Sequence, residues 1–129
     1  MSSVFTRIMD GELPGHFVWD DDLCIGIMTI QPFQEGHVLV IPREEIECWY
    51  DLPDALAAHL MVVAGRLAKA IKQAFSAERV GLVIAGMEVP HVHLHVMPID
   101  GAEHFDFRGL PFADGAALAA AAAKIRQAL

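Results

Sequence analysis

His91-Val92-His93-Leu94-His95-Val96-Met97 alternates imidazole and aliphatic side chains. Successive side chains of a β-strand point to opposite faces. The pattern therefore predicts a strand with His91, His93 and His95 on one face and Val92, Leu94 and Val96 on the other. Neighbouring histidines would stand about 6–7 Å apart, two steps of roughly 3.3 Å. The aliphatic face reads as core. The histidine face has three readings: hydrogen-bonded structural residues, a zinc site built on imidazoles two residues apart, or nucleophilic and acid–base chemistry. No carboxylate stands at a short helpful spacing, and the two cysteines, Cys24 and Cys48, are distant. The third reading is preferred.

Outward from this strand the chain alternates short apolar runs with turns. Arg79–Ala85 reads as the preceding strand, and Gly86–Pro90 as the turn between them. Asp51–Phe75 carries Leu56, Leu60, Val63, Leu67 and Ile71 at intervals of four, three, four and four, the stripe of an amphipathic helix. Gly65 within it would allow close approach of a strand or a second subunit, and His59 reads as a helix-surface residue. His37–Ile41 is aliphatic and β-branched, with Pro42 expected to end its pairing. Leu23–Met28 and His16–Trp19 read as a hairpin, with Asp20-Asp21-Asp22 as a solvated turn. Ser3 can cap a short helix over residues 3–10. Ile99–Asp114 lacks periodicity and reads as loop. Ala116–Leu129 is Ala-rich and helical, with Asp114 as its cap. Strands joined by short hairpins, plus one long helix, predict an antiparallel α+β domain.

At 129 residues, one domain over 1–129 is expected. Hydrophobic residues make up 54% and mean hydropathy is +0.39, an apolar excess that a partner copy could cover. Nine basic against seventeen acidic residues disfavour an extended nucleic-acid surface, which needs a basic footprint. One small phosphate-bearing ligand in a local site is compatible with that charge. The cysteines read as free thiols of a reducing compartment. No basic, apolar leader and no membrane-length run is visible, so a cytoplasmic location is expected.

The histidine run resembles the signature of the histidine triad (HIT) family, His-φ-His-φ-His-φ-φ with φ apolar, at all seven positions. The resemblance extends to Gly86-Met87-Glu88-Val89-Pro90, to Gly36-His37-Val38-Leu39-Val40-Ile41-Pro42 and to Phe5-Thr6-Arg7-Ile8-Met9-Asp10-Gly11-Glu12-Leu13-Pro14. It implies a twisted five-stranded antiparallel sheet with one long and two shorter helices, usually paired as a homodimer. It also implies hydrolysis of nucleoside phosphoramidates or related phosphoanhydrides at the α-phosphorus, through a nucleotidyl-histidine intermediate, with no cofactor. A transferase would pass through the same intermediate. A low-turnover nucleotide-binding module and a zinc-binding protein are the other readings.

Carried over by position, the resemblance makes His93 the nucleophile and His95 the contact to phosphate and leaving group. His91 and His37 become the outer histidines that orient the central ring, which requires their strands to be neighbours. Gly86, Glu88 and Val89 fall in the phosphate turn, whose N–H groups can face anionic oxygens. Val4, Phe5, Ile8, Ile27 and Ile30 fall on the apolar wall for base and ribose. The chain departs from the family pattern at Met87, where Gln is frequent, and at Glu88, where a hydroxyl commonly touches phosphate. It departs again at Thr29, where an Asp often grips the ribose. The family's Asn before the triad has no counterpart. Glu88 is expected to turn outward, away from phosphate.

Overall fold

A computed structural model describes residues 2–100 and 109–129. The elements in chain order are α1 (Val4–Met9), β1 (Phe17–Asp20), β2 (Cys24–Met28), β3 (Val38–Pro42), a single 3-10 turn (Trp49–Asp51), α2 (Asp54–Phe75), β4 (Arg79–Val83), β5 (Leu94–Ile99) and α3 (Gly115–Ala128). The strands form one antiparallel sheet in the order β1-β2-β3-β5-β4.

Strands β2 and β3 are buried along their whole length. A strand covered on both faces reads as a continuous apolar run, and CIGIM and VLVIP are such runs. Their side chains divide by parity. Cys24, Met28, Val38 and Val40 face α2 and α3 in the main core, with Leu94 and Val96 of β5. Ile25, Ile27, Leu39 and Ile41 face the other way and pack with Phe5 of α1, flanked by Ile8, Met9, Phe17 and Val89.

The predicted stripe of α2 is what the sheet covers: Leu60, Val63, Leu67 and Ile71 are buried, and Leu56 is partly so. Gly26 lets α2 sit close on β2, since a Cβ there would lie 3.1 Å from Leu67 Cδ1. Gly65 has no such role against the strands of its own chain, because a Cβ there would meet nothing within 4 Å. Helices α1 and α3 are capped as expected: Ser3 Oγ accepts from the Thr6 amide at 3.1 Å and Asp114 Oδ1 from the Ala117 amide at 2.8 Å.

Several element boundaries differ from the sequence reading by a residue or more. Pro42 remains in the ladder opposite Cys24, because a strand-end proline loses a donor but keeps its carbonyl. The histidine strand enters the ladder only at Leu94, whose partner is Val40. Continuing that register would set Val92 opposite Pro42, which has no N–H to give. The chain instead turns away, and the Val92 amide donates to the Ile46 carbonyl at 2.8 Å. Strand β4 ends at Val83, short of Ala85, and the chain turns at Gly86, whose φ is +70°. In the expected loop Ile99–Asp114, Ile99 closes β5 and 101–108 lie outside the described residues.

Candidate functional site

On the α1 side of the sheet, the start of β5, the residues leading into β3 and the segment 83–93 border a cleft of about 510 Å³. His37, His93 and His95 line it, facing Gly86, Met87 and Glu88 of the turn. Thr29, Gln31 and Leu110 also contribute to its wall, and Gln31 Nε2 donates to the Leu110 carbonyl at 3.1 Å. Glu88 is exposed on this rim.

The fixed donors and acceptors of the backbone assign the imidazole tautomers. A carbonyl only accepts and an amide N–H only donates. His91 Nε2 lies 2.7 Å from the Pro42 carbonyl, so Nε2 carries the proton and Nδ1 is bare. That Nδ1 accepts from Ser3 Oγ–H at 2.6 Å. His93 Nδ1 lies 2.8 Å from the His91 carbonyl, so it holds its proton there. The Nε2 of neutral His93 is therefore a bare lone pair. The Phe33 amide donates to His37 Nδ1 at 2.9 Å, which puts the His37 proton on Nε2. His37 Nε2–H then donates to His95 Nδ1 at 3.0 Å, leaving the proton of neutral His95 on Nε2. One ring thus offers a nucleophilic nitrogen. Its neighbour, 5.0 Å away between centroids, offers a proton.

Burial favours the neutral form of His37, His95 and His91. It pushes His37 down to about 3, helped by repulsion from His95. His95 is pushed down to about 4 by burial and then by His93. His91 is also lowered, mainly by burial, against the opposing pull of the Pro42 carbonyl and Glu45. A neutral imidazole is the nucleophilic form.

The outer histidines do not meet each other. Although β3 and β5 are neighbours, His37 bonds His95, whereas His91 bonds Ser3 and Pro42. Ser3 itself is anchored: its amide and the Thr6 hydroxyl both donate to Glu45 Oε1 at 2.6 Å. Those bonds hold the exposed Glu45 carboxyl below its ordinary range, the Thr6 bond most of all. The sequence reading took Ser3 only as a cap and passed over Glu45, Phe33 and the Pro42 carbonyl. No local pattern signals the Ser3, Glu45 and Pro42 contacts, whose partners lie 42 to 88 residues away, and the Phe33 amide, four residues from His37, carries no side-chain signal.

Of the expected apolar wall, Phe5 reaches the triad, edge-on to His91 at 5.7 Å and His93 at 5.0 Å between centroids. Ile27 is buried in the Phe5 cluster, and Ile8 packs against it. Val4 and Ile30 are 41% and 60% exposed. None of these five lines the cleft beside the turn. Val89 does not line it either; its carbonyl accepts from the His91 amide at 2.8 Å and its side chain packs on the Phe5 cluster. His59, expected as a plain surface residue, is half-buried and bonded to Asp21 at 2.8 Å.

A protein-family model described as the HIT domain matches residues 10–102. A HIT-like protein of Borreliella burgdorferi is 33% identical over 112 residues, covering 81% of this chain and 81% of its own. An adenosine 5'-monophosphoramidase of Saccharomyces cerevisiae is 34% identical over 96 residues, which are 74% of this chain and 61% of that protein. Among solved structures, a Hit-like protein involved in cell-cycle regulation from Bartonella henselae, crystallised with an unknown ligand, matches with a TM-score of 0.87. It is 27% identical, and the match covers 99% of this chain and 96% of that one.

Proposed function

The chain belongs to the histidine triad family, and from that premise we propose that it hydrolyses nucleoside phosphoramidates or related phosphoanhydrides at the α-phosphorus. The observation that carries this reading is the bond from His93 Nδ1–H to the His91 carbonyl, which leaves Nε2 bare on the wall of a cleft beside His95. The phosphoramidase activity named for the yeast relative supports the substrate class.

In the proposed reaction His93 Nε2 attacks the α-phosphorus. A nitrogen–phosphorus bond forms as the bond to the leaving group breaks. The leaving amine or phosphate takes a proton from a water in the cleft, while neutral His95 keeps its proton and donates a hydrogen bond from Nε2–H to the phosphate or leaving atom. The hydroxide so formed attacks the nucleotidyl-imidazolium, breaking the nitrogen–phosphorus bond, releasing the monophosphate and restoring neutral His93. The turn at Gly86 contributes N–H groups to the phosphate oxygens. Phe5 backs the triad rings from the core, so the nucleoside lies against the cleft's own wall at Thr29, Gln31, Val83 and Leu110. His37 and His91 act as positioning residues, each fixing one proton of the reacting pair.

The test is a panel of adenosine and guanosine phosphoramidates and dinucleoside polyphosphates, followed for release of the monophosphate. Wild-type protein should turn over at least one class and form a nucleotidylated protein under acid-free quench. His93→Ala should bind monophosphate and form neither product nor adduct. Nucleotide binding without turnover in wild type would instead favour the binding-module reading. Full activity in His93→Ala would sink the mechanism.

A further inference from the structure

Outside the cleft, the β1–β2 turn and α2 bring together three side chains that the proposed chemistry does not use. Asp21, Cys24 and His59 each offer one ligand atom, and these atoms lie within 4.8 Å of one another. Their chemistry differs from that of an ordinary acidic surface patch: one thiol, one imidazole and one carboxylate. Such a mixed sulfur, nitrogen and oxygen set suits zinc and its neighbours.

Asp21 is held in place before any ion arrives. Its Oδ1 accepts from the amides of Leu23 and Cys24, both at 2.8 Å. The Trp19 indole donates to Oδ2 at 2.7 Å, which fixes the carboxylate plane. Cys24 Sγ, fully buried, stands 3.7 Å from Oδ2. His59 Nε2 approaches the same oxygen from α2 at 2.8 Å.

Tetrahedral zinc with ligands at ~2.0–2.3 Å sets ligand atoms ~3.3–3.7 Å apart. The sulfur–oxygen separation already fits that edge. The imidazole nitrogen, 2.8 Å from Oδ2 and within 4.8 Å of the sulfur, would move back about half an ångström from the oxygen and settle about 3.5 Å from the sulfur, an adjustment within reach of a side-chain rotation. Asp21 and His59 retain 27% and 32% side-chain exposure, so the outer side is open to solvent. The nearby cation, Arg43, is engaged elsewhere: it pairs with Asp20 and donates to the Asp21 carbonyl at 2.8 Å.

We propose that Asp21, Cys24 and His59 form a binding site for a zinc-type divalent cation, with water as the fourth ligand. The bound ion ties the β1–β2 hairpin to α2 on the face of the sheet opposite the histidine cleft. Binding replaces the thiol proton, which passes to solvent, and moves the His59 proton to Nδ1.

Co2+ titrated into the reduced full chain should produce a thiolate-to-metal charge-transfer band. Imidazoles of the triad cannot generate this signal. The band should persist in Cys48→Ser and vanish in Cys24→Ser. Should Cys24→Ser fail to fold, His59→Ala, a change on the helix surface, carries the test: Co2+ affinity should fall at least tenfold. Absence of the band in wild type, its loss in Cys48→Ser, or an undiminished affinity in His59→Ala would overturn the proposal.

Discussion

Acidification should destabilise the fold through His37 and His95, and the size of the effect follows from their burial. In the unfolded chain a histidine titrates near pH 6.5. In the folded chain burial holds His37 at about 3, helped by repulsion from His95, and His95 at about 4, helped by repulsion from His93. Both folded values lie below the unfolded one, so the unfolded chain takes up protons first as pH falls. Stability is therefore full above about pH 7 and is lost as pH drops through 6.5 towards the folded values. At pH 5.5 each unfolded histidine is about nine-tenths protonated, so the pair gives a slope of about 2.5 kcal/mol per pH unit. Between pH 7.5 and 5.5 the loss is about 3 kcal/mol, a large part of the roughly 5–15 kcal/mol that holds a domain folded. The carboxylates lowered in the fold, Asp21 and Glu45, change their contribution only at lower pH, and His91, also lowered by burial, adds to the loss in the same window. Urea unfolding at pH 7.5, 6.5 and 5.5 measures the effect, with His37→Gln expected to reduce the slope. A free energy constant within about 0.5 kcal/mol between pH 7.5 and 5.5 would show that these rings accept protons in the folded state, and the neutral-triad argument would fail.

Ser3→Ala removes the α1 cap and strands the buried His91 Nδ1; it should cost about 2–3 kcal/mol by urea unfolding, and kcat should fall more than KM rises. A loss confined to stability would leave Ser3 as a cap alone. Glu88→Ser should tighten monophosphate binding by less than tenfold in calorimetric titration, because the exposed rim carboxylate is screened by solvent. A larger, pH-dependent gain would mean that the carboxylate turns into the cleft when phosphate is bound. We also propose a homodimer through the exposed Met61 and Val62 of α2, beside the open surface at Gly65, and the exposed Leu82 of edge strand β4. Sedimentation at micromolar concentration should give about twice 14.1 kDa, and Met61→Lys with Val62→Glu should give a folded monomer. Unchanged sedimentation of that variant would move the interface elsewhere.

What the sequence determined by itself is what repeats along the chain. The two-residue alternation of His91–Val96 set the histidines against an aliphatic face, and the structure keeps Val92, Leu94 and Val96 in the core. The stripe from Leu56 to Ile71 located the long helix, and the apolar runs located β2 and β3. Periodicity is a local property of backbone geometry, so it survives in a linear reading. Tertiary structure decided which nitrogen of His91 and of His95 carries a proton. That choice rests on the Pro42 carbonyl, 49 residues from His91, on Ser3, 88 residues away, and on His37, 58 residues from His95. The partners of His93 and His37, the His91 carbonyl and the Phe33 amide, are near in the chain, yet residue alternation does not reveal them. The same closure set Asp21 and Cys24 of the hairpin against His59 of α2. Their types and spacing signal nothing until α2 packs on the sheet. It also decided where the histidine strand leaves the ladder, because a missing N–H at Pro42 matters only once β3 and β5 are neighbours. Hydrogen-bond partners far apart in the chain are selected by the packing of the core, and no local pattern encodes them.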